Sequence, residues 1–190
     1  MKDNSFNMTT GKPLKNILIF AIPIMLSGLI QQCYNVADTY IVGQYISANA
    51  LAAVGSVGPM SSLLMGLAMG VTGGFAIPIA QAFGAGDKKR TNHYAGNAIS
   101  LTIIISLTIM SVSLFLVKPI LTLLGTPQEI FNDARLYVSI IYAGAIFTTL
   151  YNVLASILRA LGDSKAPLKF LTVIAVLNVF LNYFTIAVLG

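Results

Sequence analysis

The sequence predicts an all-α membrane protein with five transmembrane helices. Three observations carry that expectation. Only 9% of the 190 residues are charged, against about 25% in a soluble domain. Hydrophobic residues make up 56%, and the mean hydropathy is +0.83. The apolar residues fall in runs of bilayer-spanning length, about 20 residues or more, and most basic residues sit in the short segments between them.

Residues 1–12 form a short polar tail. It does not read as a signal peptide, because the apolar run behind it is too long and no small-residue cleavage pattern precedes Asp38. Helix 1 is expected over 13–43. Pro23 lies inside it, removes one backbone hydrogen bond and bends it, either as a packing shape or as a hinge. Residues 44–48 make a tight connection, with Ser47 as the N-cap of helix 2. Helix 2, over 49–83, contains Gly66-x-x-x-Gly70 and Gly70-x-x-x-Gly74. These spacings are expected to let another helix approach closely. Gly84 to Arg90, GAGDKKR, reads as a basic loop and not as a phosphate-binding loop, since no strand precedes it.

Helix 3 is expected over 92–117, with Lys118-Pro119 marking its end. Helix 4, over 127–158, opens on Thr126-Pro127-Gln128-Glu129, the capping-box pattern with proline at the first helical position. Asp133 and Arg135 belong to its interfacial turns, and Tyr137, Tyr142, Tyr151 and Asn152 lie farther in. Arg159 to Pro167, RALGDSKAP, is a second basic loop, and helix 5 covers 167–190. Nine of the eleven basic residues fall before helix 1, between helices 2 and 3, or between helices 4 and 5; Lys118 and Arg135 are the other two. The bias toward one side places the N-terminus in the cytoplasm.

Several classes are excluded or disfavoured. Cys33 is the single cysteine, so no disulfide or cysteine metal site forms within the chain. His93 is the single histidine and reads as an interfacial residue beside a basic loop. The net charge of +5 is split among short loops, which is no nucleic-acid footprint. The loops carry no paired carboxylates, metal set or nucleophile elbow, which argues against an enzyme.

Two polar groupings interrupt the apolar helices. Gln31, Asn35 and Asp38 share a stripe on helix 1, and Asn178 and Asn182 share a face of helix 5. A carboxylate at the centre of a membrane helix costs about 2.5–3.5 kcal/mol on insertion scales and usually has a task. If helices 1 and 5 pack together, the carboxylate and amides converge. Three readings are open there: proton binding by Asp38, Na⁺ held by oxygen ligands, or an amide network that pins two helices.

Pro23, N-V-A-D-T-Y-I-V-G (35–43), A-L-A-A-V-G (50–55), Q-A-F-G-A-G-D (81–87), L-R-A-L-G-D-S-K-A-P (158–167) and the Asn178/Asn182 pair together resemble multidrug and toxic compound extrusion (MATE) transporters. The resemblance covers nearly all of the chain after Gly11. It implies five helices of a six-helix N-lobe, with helix 6 and the second lobe missing from this chain. It implies an exporter of drugs or amphipathic and cationic organic compounds in exchange for Na⁺ or H⁺, with no cofactor beyond that ion. By the same resemblance Asp38, Asn178 and Asn182 form the cation site, tentatively for Na⁺, and Pro23 is the helix bend. Gln31 lines the drug cavity, and Asn35, Tyr137 and Asn152 join it as candidate cavity residues. The expected setting is the plasma membrane, multi-pass, with the lipid bilayer and small organic substrates as partners and no nucleic acid. A lipid-linked oligosaccharide flippase is the alternative; it would need cationic side chains facing pyrophosphate, and none is expected inside these helices. A non-transporting membrane fragment is a further alternative, since alternating access needs two lobes around a shared cavity.

Overall fold

The computed structural model describes residues 12–45, 52, 55 and 57–185. Among the described residues six helices follow one another: α1 (Pro13–Tyr45), α2 (Gly58–Gly84), α3 (Lys88–Leu123), α4 (Gln128–Ala143), α5 (Ala145–Ala160) and α6 (Lys165–Tyr183). No strand occurs among the described residues. Four helices, α1, α2, α3 and α6, are each long and apolar enough to cross a membrane. The pair α4 and α5, bent by 42° at Gly144, is long and apolar enough to do so when taken together. The described helices supply four spans, or five with the bent pair counted as one, and the chain is an all-α membrane bundle.

The bounds differ from expectation at several places. Helix 1 runs two residues farther, to Tyr45, so the connection begins after it. The expected start of helix 2 and the Ser47 cap lie outside the described residues. α3 begins at Lys88 rather than 92, because Asp87 caps it: its Oδ1 accepts the Arg90 backbone N–H at 2.9 Å, and its Oδ2 lies 3.4 Å from Arg90 Nε. A carboxylate at a helix N-terminus is favoured by the dipole and the free N–H groups there, and it offsets three basic residues in the first turn. α3 also continues past Lys118-Pro119 to Leu123. Its stop is set by Gly125 at φ +67°, where the Thr126 N–H reaches Leu121 O and the Gly125 N–H reaches Thr122 O, a Schellman closure.

The capping box at helix 4 does not form. Its first residue in helical pairing is Gln128, no side chain caps it, and the buried Thr126 hydroxyl has no partner. The helix is also not continuous, since Gly144 breaks it. α6 starts two residues early, at Lys165, because Asp163 Oδ1 accepts the backbone N–H groups of Lys165 (3.0 Å) and Ala166 (2.9 Å). It ends at Tyr183; the expected stretch from 186 to 190 lies outside the described residues.

Two apolar cores form. One joins α3 and α4 through Val117, Leu121, Ala134, Val138 and Tyr142. The other joins α2, α3 and α5 through Ile79, Ala98, Val153 and Ile157. No α1 or α6 residue belongs to either set of buried residues. α1 instead packs along α6, and the two run in the same direction: Asp38 meets Asn182, and the ring of Tyr45 meets that of Tyr183 edge-on at 6.0 Å. The expected close approach at the helix 2 glycines is not made. Gly66, Gly70 and Gly74 are exposed, and a Cβ on any of them would meet nothing within 4 Å. The neighbours of α2 pack instead on the face carrying Thr72 and Ile79, which are buried.

Buried hydroxyls are mostly spent locally. Thr72 donates to Ala68 O (2.9 Å), Ser106 to Ile103 O (3.0 Å) and Thr149 to Ala145 O (2.7 Å). This return to the helix's own carbonyls lets polar residues sit in apolar helices without a partner helix.

Candidate functional site

The seam between α1 and α6 carries the first polar constellation. Asn182 Nδ2 donates to Asp38 Oδ1 at 2.7 Å and to Asn178 Oδ1 at 3.3 Å. Asn178 and Asn182 are one helical turn apart on α6, so they face α1 together. All three side chains are partly buried. The structure thus brings Asp38, Asn178 and Asn182 into one cluster.

The donor set bears on what the cluster can hold. A hard cation is bound by oxygens. Asp38 and Asn178 present oxygens, whereas Asn182 presents its N–H between them. Turning the Asn182 amide over would place its Oδ1 there and complete three side-chain oxygens. A proton needs no such turn, since Asp38 alone can take it. The constellation thus fits either ion, with Asn182 as the group that differs between them. Among the described residues no cluster of three or more histidine, cysteine or acidic side chains is arranged for a metal.

A second polar constellation lies beside the first. A cavity of about 300 Å³ opens between α1, α2, α5 and α6. Gln31 and Asn152, both expected in the substrate cavity, line it, with Ser27, Tyr151, Ser156 and Arg159. The Tyr151 hydroxyl donates to Pro167 O at 3.3 Å and ties α5 to α6. Asn152 Nδ2 donates to Thr148 O at 3.0 Å. Ser27 Oγ donates to Pro23 O at 2.8 Å, one turn back along α1.

Two of the four candidate cavity residues fall elsewhere. Asn35 is exposed, donates to Gln32 Oε1 at 3.2 Å and lines an open groove with Val36, Thr39 and Tyr40. It sits about 60° around the helix from Asp38 at 100° per residue, and α6 covers only the Asp38 side. Tyr137 is exposed on α4 and is not among the residues lining the inner cavity. Sequence reasoning also missed Arg159. Assigned to a loop, it is in the last turn of α5 and half-buried, with its side chain lining the cavity. Arg159 extends the expected helix by one residue and stands at its end, so the expectation that the helix interiors carry no cation is not touched by it. The signal was available: the helix pattern of 145–158 continues through Arg159 until Gly162, at φ +86°.

Long apolar helices that hold a carboxylate against amides, beside a polar cavity, put the chain among the polytopic membrane transporters. The MatE family model matches residues 23–184, and the chain belongs to that family, which is one of transporters and not of enzymes. The chain is 29% identical over 167 residues to the probable multidrug resistance protein YoeA of Bacillus subtilis (strain 168), covering 88% of this chain and 36% of YoeA. A solved MOP superfamily transporter from Pyrococcus furiosus, described as having a binding pocket of reverse polarity, is similar at a TM-score of 0.91 and 29% identity, over 100% of this chain and 42% of its own. A solved multidrug resistance MATE family transporter in an outward-facing conformation gives a TM-score of 0.88 at 30% identity, over 95% of this chain and 40% of its own. The chain thus spans less than half the length of these relatives.

Proposed function

We propose that the chain forms the ion-coupling part of a secondary exporter. It would use Na⁺ or H⁺ to expel drugs or amphipathic organic compounds across the plasma membrane, with its N-terminus in the cytoplasm. The observation that carries the reading is the 2.7 Å bond between Asn182 and Asp38 across the α1–α6 seam. Ion binding there changes what holds α1 to α6, and Pro23, one helix half away, gives α1 a place to bend. Relatives named for multidrug resistance support the cargo class.

The deciding experiment is Asp38→Asn in the complete protein, assayed for efflux from proteoliposomes under an imposed Na⁺ gradient and then under an imposed pH gradient. Loss of efflux driven by one gradient, with normal membrane insertion, is expected and names the ion. Normal efflux under that gradient would remove Asp38 from the mechanism. The flippase reading is not advanced, because a single guanidinium in the last turn of α5 matches one phosphate group and not the two of a pyrophosphate.

A further inference from the structure

The guanidinium of Arg159 is the unusual charge of the bundle. It is half-buried at the end of α5 and lines the cavity between α1, α2, α5 and α6. It makes one hydrogen bond, from Nη2 to Ser156 Oγ at 3.1 Å. A guanidinium has five N–H donors in a planar fork. Among the described residues no carboxylate pairs with it; the ion pair recorded there joins Arg90 and Asp87 at the surface. The nearest carboxylate in sequence, Asp163, is occupied at the start of α6. The interior carboxylate, Asp38, lies two turns beyond Gln31 along α1 and is held by Asn182.

The C-terminal end of α5 favours a cation, but it would favour one turned outward to water just as well. This one belongs to a cavity whose other polar members, Ser27, Gln31, Thr72, Tyr151, Asn152 and Ser156, come from three helices. A half-buried guanidinium that makes one hydrogen bond has donors left for a partner, and a planar fork matches a carboxylate or a phosphate. About 300 Å³ is at the small end of ligand pockets, enough for a headgroup and short of a whole drug-sized molecule.

We propose that this cavity is an anion-binding subsite, in which Arg159 takes the carboxylate or phosphate headgroup of an amphipathic ligand while the ligand's apolar part lies outside it. The proposal rests on the exporter reading for its biological meaning: the cargo then includes zwitterionic or anionic amphiphiles and is not confined to cations. The same headgroup chemistry is offered by an anionic phospholipid, and the test separates the two sources.

The complete protein is reconstituted in phosphatidylcholine nanodiscs and titrated with dodecyl phosphate and with dodecyltrimethylammonium, which share an apolar tail and differ in headgroup charge. Dodecyl phosphate is expected to bind about tenfold more tightly, the scale of one charge-assisted contact. Arg159→Gln is expected to abolish that preference by weakening the anionic probe alone. Arg159→Lys, which keeps the charge and loses the fork, is expected to keep part of it and serves as the folding control. Nanodiscs doped with phosphatidylglycerol then identify the source: competition with dodecyl phosphate in the wild type but not in Arg159→Gln assigns the site to lipid, and no competition assigns it to a soluble amphiphile. Equal binding of the two probes by the wild type, or an unchanged preference in Arg159→Gln, overturns the proposal. Binding is read without transport, so a protein that binds through Arg159 but exports nothing would defeat the exporter reading and leave the subsite standing.

Discussion

Asn182 makes two contacts with one nitrogen, to Asp38 and to Asn178. Replacing it with Ala removes the donor from a partly buried carboxylate. A hydrogen bond to a charged group contributes about 1.5–3 kcal/mol, and partial exposure brings the expected loss to about 1 kcal/mol, read as a lower unfolding temperature of the purified protein. Thr126 gives the opposite case. Its buried hydroxyl has no partner, so Thr126→Val is expected to be neutral or to raise stability by up to about 1 kcal/mol; a clear drop would mean that the hydroxyl is satisfied by water. At this scale the α1–α6 cluster was legible because a lone carboxylate and an i, i+4 amide pair stand out in apolar runs. Asn35 was not, since a shared stripe says nothing about how wide a neighbouring helix's cover is. Arg159 was hidden by its own neighbourhood, because a charge next to Gly-Asp reads as loop while the helix in fact continues beneath it.

The helix ends follow a common pattern. After α2, α3 and α5 the chain turns through a glycine at positive φ: Gly86 at +73°, Gly125 at +67° and Gly162 at +86°. A left-handed conformation costs a residue with a Cβ about 1–2 kcal/mol. Gly162→Ala is therefore expected to lower stability by that amount in a denaturation series, and also to loosen the start of α6, whose cap Asp163 follows directly. Gly144→Ala is a contrast, because its Cβ would come no nearer than 3.4 Å to Ile141 O and should be tolerated within about 0.5 kcal/mol. Spans were legible from their apolar length. Their ends were not, because proline and basic residues are weaker stops than the glycine turns. Pro119 forfeits one bond near the end of α3 without ending it, and Asp87 makes a first turn out of three cations.

At the scale of the whole molecule, the turns at Gly86 and Gly162 meet at one end of the bundle, where Leu161 lies in a common pocket with Gly86, Lys88 and Thr91. α3, at 36 residues, extends about 54 Å at 1.5 Å per residue and carries Gly125 to the other end. With Cys33 replaced by Ser, a cysteine at Lys89 should react with a membrane-impermeant maleimide only in lysed cells, and one at Lys118 in intact cells; the reverse pattern would invert the topology. The division into an α1–α6 pair and a core shared by α2 to α5 has a consequence for how such a protein can change over generations. Tolerance to heat is banked in the Val117–Leu121–Val138 interior, whereas the Asp38–Asn182 cluster, where we propose that the ion binds, lies along a seam outside that set of residues. A lineage could therefore harden its scaffold and trade one driving ion for another as two separate experiments.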